Sequence, residues 1–208
     1  MNDPANIIEV PALVRNKTRR RFVFADEGLT IEKSFILNSK DFIRGEDIAA
    51  FRFGTHDFSG YKFSFGRQYF IDVKDFDNRV YRIKLNSFYG IKQKTYYRIW
   101  AELLQRLWDS YLADQLSYYI ELYNIRQLFD LAGVTFHEDG ISWDRKNKLL
   151  WNEIAVKSYR TYFMIHHVDN PKKYKCCVFS IEWNAVILQS LLKAIIKEQK
   201  RVPKSSSL

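Results

Sequence analysis

The densest set of chemistry-bearing side chains in this 208-residue chain is a pair of doublets, His166-His167 and Cys176-Cys177. Imidazole nitrogens and thiolates suit zinc, but a structural zinc wants four ligands. Facing each other across a hairpin through "DNPKK", the doublets would put one His and one Cys on each face. That is half a site, with no CxxC or HxxxH to complete it, so no metal is expected. His56-Asp57 reads as a polar turn, because a His beside an Asp in sequence is no dyad unless the side chains meet. There is no nucleophile elbow, phosphate-binding loop or dinucleotide fingerprint. The expectation is a chain without catalytic residues or cofactor.

Cations offer a second kind of site. Lys17, Arg19, Arg20 and Arg21 precede or open a predicted strand, and Lys172, Lys173 and Lys175 decorate a predicted hairpin. Either cluster could contact a partner or an anionic surface. The plainer alternative is a set of solvated residues that protect sheet edges. The formal charge of +9 is spread evenly: residues 1–128 hold 20 Lys and Arg against 16 Asp and Glu, residues 129–208 hold 13 against 8. Neither half generates a strong field, and a nucleic-acid partner is not expected. "GYKFSF" is similar to part of an RNA-recognition motif, yet Ser59 and Lys62 stand where a basic and a small residue belong. Core aromatics at period two account for the stretch.

The opening "MNDPANIIEV" lacks a basic region followed by a long apolar run, so no signal peptide is expected. "AVILQSLLKAII" is too short and too polar to span a bilayer, so no transmembrane segment is expected. The two adjacent cysteines make no disulfide framework, and a reducing cytoplasm follows as the default.

The elements that must position these residues come in two similar sets. "FADEGLTIEK" (Phe24 to Lys33) and "FHEDGISWDR" (Phe136 to Arg145) repeat an order of residue types: aromatic, acid, Gly, aliphatic, hydroxyl. Each predicts a first β-hairpin with Gly28 or Gly140 in the turn, where a positive φ costs glycine little. A second turn is expected around Asn38–Arg44. Tyr61, Phe63, Phe65, Tyr69, Ile71 and Val73 alternate as one inward face, with a bulge near Gly66; Tyr81, Ile83 and Leu85 alternate after the "DFDN" turn. From Thr95 the period changes, and Tyr96, Ile99, Leu103, Leu107 and Tyr111 make a helical stripe that runs on weakly to Tyr123. In the second half "YFMIHHV" and "YKCCVFSI" form a hairpin. A helix capped by Asn184 then carries Leu188, Leu191, Leu192, Ile195 and Ile196.

Several meandering strands followed by one amphipathic helix resemble the pleckstrin-homology (PH) superfold. Gly140-Ile141 leading to Trp151-Asn152-Glu153-Ile154 resembles bacterial PH-like domains in particular; the first copy has Gly45 in place of the Trp and aligns Asp47-Ile48 with Glu153-Ile154. The resemblance implies an α+β protein of two tandem PH-like antiparallel sandwich or barrel domains, each closed by a C-terminal helix. The expected bounds are 18–112 and 129–199, with a helical linker at 113–128 and a disordered tail at 200–208. It also implies binding of phosphoinositides, peptides or proteins. Lipid-binding members carry a basic first hairpin loop. The turns taken here as equivalent, Asp26-Glu27-Gly28 and Glu138-Asp139-Gly140, are both acidic, so head-group recognition there is not expected. The sequence therefore points to a cytoplasmic module for a protein or peptide. The alternative is peripheral contact with anionic lipid through Arg19, Arg20, Arg21, Lys172, Lys173 and Lys175.

Overall fold

The computed structural model describes residues 6–14, 20–32, 40–61, 63–144 and 146–201, the side chains of 200 and 201 excepted. The chain divides into two compact units, Met1–Ala113 and Asp114–Leu208. In the first, β1 (Ile7–Val10), β2 (Arg20–Ala25), β3 (Gly28–Glu32) and β4 (Lys40–Arg44) form an antiparallel meander in chain order. A three-stranded meander follows, β5 (Ile48–Ser59), β6 (Ser64–Asp75) and β7 (Val80–Phe88), and then helix α1 (Gln93–Leu107).

Period-two alternation builds the core of this unit. Phe22 and Phe24 of β2, Leu29 and Ile31 of β3, Ile71 and Val73 of β6, and Ile83 and Leu85 of β7 are all buried. Helix α1 packs on β1, β6 and β7 and buries Tyr96, Leu103 and Leu107. Fully burying an aliphatic or aromatic side chain stabilises the fold by about 1.5–3 kcal/mol. The helix passes into a π-helical turn, Trp108–Leu112, that buries Tyr111 and Leu112.

The second unit repeats the order. After helix α2 (Ala113–Asn124), strands β8 (Phe129–Leu131), β9 (Val134–His137), β10 (Gly140–Trp143) and β11 (Asn147–Leu150) form a four-stranded meander. A 3-10 turn, Trp151–Glu153, leads to the three-stranded sheet of β12 (Ile154–Ser158), β13 (Tyr162–His167) and β14 (Tyr174–Val178). Helix α3 (Ala185–Arg201) closes the unit, with Leu188, Leu191, Leu192 and Ile195 buried. Each closing helix is entered through a left-handed residue, Lys92 (φ 55°) or Asn184 (φ 59°). The carbonyls of these two residues accept from Tyr96 N at 2.8 Å and Leu188 N at 3.0 Å.

The chain is thus α+β with antiparallel sheets. The sheets are open, none closing into a barrel, and among the described residues no helix is long and apolar enough to cross a membrane.

Close backbone approach fixes the two repeated glycines. A Cβ on Gly28 would lie 2.1 Å from Ile43 O, and one on Gly140 would lie 2.0 Å from Leu149 O. The turns also close alike: Gly45 N donates to Glu27 O at 3.0 Å, and Trp151 N to Asp139 O at 3.2 Å.

Four expectations need correction. The repeated hairpins are second, not first, in their sheets, because the short strands β1 and β8 precede them. In the second unit the first hairpin, β8–β9, turns through Ala132-Gly133 and so carries no acid in its loop. Residues 40–44, expected in a turn, are strand β4. Tyr61 and Phe63, expected inside, are 98% and 64% exposed, because β7 ends opposite Gly66 and, among the described residues, no strand covers the hairpin beyond it. The expected bulge does occur there, as a register shift between Phe58 and Ser59.

Candidate functional site

In the second unit the end of α2 is shaped by a left-handed residue. Arg126 has φ 57°, which lets Gln127 N reach back to Leu122 O and Arg126 N to Tyr123 O, both at 3.0 Å. This pattern satisfies the last carbonyls of a helix, and glycine usually occupies the left-handed position. With Arg126 there instead, a guanidinium stands at the helix end, and its Nη1 meets Glu138 Oε1 at 2.5 Å. Both partners are well exposed, so the pair orients the rim more than it stabilises the fold.

Behind this rim lies a cavity of about 300 Å3 lined by α2, the start of β8, the end of β9, Trp151 and α3. Its floor is aromatic. Phe129 stacks on Phe136 with centroids 4.6 Å apart, Trp151 tilts against Phe136 at 5.9 Å, and Tyr123 meets Trp151 edge-on at 5.3 Å. The indole Nε1 donates to Glu138 O at 3.0 Å, and Gln199 Nε2 donates to the Tyr123 hydroxyl at 3.2 Å. Asn124, Gln127 and Gln199 add amide groups to the lining, so an apolar floor meets hydrogen-bonding edges. Such a combination seats one bulky side chain and orients the polar groups attached to it.

The residues singled out by sequence are placed differently. Arg20 Nη1 donates to Lys84 O at 2.9 Å, and Arg21 pairs with Glu9 at 2.9 Å. Lys17 and Arg19 lie outside the described residues. Lys173 Nζ donates to Lys148 O at 2.5 Å, Lys175 lies half-buried beside Gly133, and Lys172 is exposed. Arg20 and Arg21 belong to the first unit, and the three lysines to the second.

The register of β13 and β14 sets His166 opposite Tyr174 and Cys176 opposite Met164, so His166 and Cys176 share one face as expected, offset diagonally by two residues. Among the described residues no three His, Cys, Asp or Glu side chains gather as a metal-binding group. Burial pushes the Cys177 thiol up to about 12, which keeps it protonated and poorly nucleophilic. Asp57 is engaged by Arg67 at 2.5 Å, and that hydrogen bond holds its carboxyl below the usual range, while the His56 ring lies edge-on to Phe58.

Sequence reasoning missed the cavity because its walls come from five elements between residues 123 and 199. Trp151, already visible in the Trp-x-Glu-Ile pattern, was its one available signal. No protein-family model, curated protein or solved structure matches the chain.

Proposed function

We propose that the protein is a non-catalytic binding module of two tandem PH-like units that recognises a protein or peptide. The order of four strands, three strands and a closing helix, present in both units, supports the PH-like reading by analogy of fold alone. The observation that carries the binding reading is the aromatic-floored cavity at Trp151 with its amide rim. One large apolar side chain fits the floor, and the amides of Asn124, Gln127 and Gln199 suit the backbone groups beside it. The module works in the cytoplasm, where its two free cysteines stay reduced.

Selection from a displayed peptide library on the immobilised full chain, followed by calorimetry, tests this. Enriched peptides should share one bulky apolar residue. Combining Asn124→Ala with Gln127→Ala should weaken their binding about tenfold, as expected for losing one or two well-formed hydrogen bonds. Failure to enrich any peptide, or equal binding by the rim variant, refutes the assignment.

A further inference from the structure

The β5–β6 hairpin runs past the sheet that it belongs to. Its strands pair as far as Ser59 with Ser64, whereas β7 stops opposite Gly66, so residues 59–61 and 63–65 extend beyond the third strand. The equivalent hairpin of the second unit, β12–β13, makes five pairs and ends at Ser158 with Phe163. The fold therefore does not need the extra length.

The extension carries aromatic side chains that the protein leaves in water. Tyr61 is 98% exposed and Phe63 64% exposed. The turn after β7 sits beside them, since Tyr89 N donates to Phe65 O at 2.8 Å, and it adds Tyr89 and Ile91, 78% and 45% exposed. A stack beneath supports the tip, with Phe58 5.4 Å from Phe88 and 6.3 Å from Phe65.

Charge around this end has one sign. Residues 58–61, 63–66 and 86–95 contain two lysines and no acid. At the base of the tip Asp57 is neutralised by Arg67. Lys92 Nζ donates to Ala12 O, which ties the same turn to a cleft of about 260 Å3 containing Arg20 and Lys84 and no acidic residue.

We infer that this end of the first unit inserts into the headgroup region of an anionic lipid bilayer. Tyr61, Phe63 and Tyr89 enter the interface while Lys92, Lys94 and Arg20 face lipid phosphates and carboxylates. Amphipathic rings are favoured at the water–bilayer boundary, and nearby cations are drawn to the negative surface. A convex tip suits a fluid interface; a protein partner would need a matching socket. The assignment is independent of the peptide cavity in the second unit.

The test is co-sedimentation of the full chain with phosphatidylcholine vesicles with and without phosphatidylserine. Three proteins are compared: the parent, Tyr61→Ser combined with Phe63→Ser, and Lys94→Glu. All the substituted side chains are exposed, and circular dichroism with thermal melting confirms that each variant folds. The parent should sediment with phosphatidylserine vesicles, the double variant should bind at least about tenfold more weakly, because two rings no longer leave water, and Lys94→Glu should bind more weakly with a shallower salt dependence. No parent binding, equal affinity for vesicles lacking phosphatidylserine, or unchanged binding by the double variant would overturn the inference. So would a folded protein recovered from native extract that depends on Tyr61 and Phe63 while vesicles are ignored.

Discussion

The ring of Tyr111 lies against Gly45: a Cβ on that glycine would sit 2.8 Å from Tyr111 Cδ1. The same ring stacks on Phe24 at 6.3 Å, and its hydroxyl donates to Ala25 O at 2.9 Å. In the second unit Trp151 stands at the position of Gly45, tilts over Phe136 and donates to Glu138 O. A helix-borne phenol in one unit and a turn-borne indole in the other thus cover equivalent phenylalanines and satisfy a carbonyl of the same hairpin.

This relationship predicts a rescue. Tyr111→Ala should destabilise the first unit by about 3–5 kcal/mol, the usual cost of emptying a large aromatic site. Adding Gly45→Trp should return part of that loss, because an indole can then enter from the other side, whereas Gly45→Trp alone should destabilise by overpacking. Denaturant titrations of the two single variants and the double variant measure the coupling. Strictly additive losses would show that the two rings do not share a site.

The glycines make a paired prediction. Gly28→Ala and Gly140→Ala each place a methyl about 2 Å from a strand carbonyl. Neither backbone can yield without opening the pairing to β4 or β11, so each should cost several kcal/mol, and by similar amounts. Urea unfolding of the two variants should show comparable losses; a harmless substitution at either position would contradict the close approach.

The closing helices can be tested by charge. Leu103 and Leu192 are fully buried, and an unpaired carboxylate there costs several kcal/mol. Leu103→Asp should unfold the first unit and Leu192→Asp the second. Hydrogen exchange resolved by peptide would report which unit loses protection, and retention of both in either variant would refute the assignment.

Alkaline pH gives a signed prediction. Burial pushes the Tyr111 phenol from an ordinary 10.0 up to about 12, and the Cys177 thiol from 9.0 up to about 12. Below about pH 8 both groups are protonated in the folded and the unfolded chain and contribute no slope. Above that, the unfolded chain releases protons that the folded chain keeps, so stability falls as pH rises toward 12. Tyr111→Phe should lessen the part of this decline that begins near pH 10, to which the burial-raised phenols of Tyr81, Tyr96 and Tyr119 also contribute, and leave the part near pH 9. Urea midpoints followed upward from neutral pH would show it, and identical slopes for parent and variant would refute it.

Much of the frame was legible because alternation and helical period are local. Phe24 to Lys33 and Phe136 to Arg145 announced equivalent hairpins, and Leu188, Leu191 and Leu192 announced the buried stripe. The strands β1 and β8 were not legible: Ile7–Val10 and Phe129–Leu131 are too short for a periodic signal. Missing them moved each repeated hairpin from second place to first. Period two also says which residues share a face and nothing about where a neighbouring strand stops. Tyr61 and Phe63 were read as core for that reason. The cavity at Trp151 depends on side chains brought together from Tyr123 to Gln199, a proximity that no local pattern encodes.

The exchange of ring positions between Tyr111 and Trp151 also bears on how a tandem chain avoids mistakes while folding. Neighbouring copies of one architecture invite strand exchange, a common misfolding route for repeats. Here a β11 segment docked in place of β4 would carry Trp151 onto space already filled by Tyr111. In the reverse exchange, Gly45 would leave Phe136 uncovered. Each unit is keyed to its own segment, so that a swapped assembly would be jammed on one side and hollow on the other.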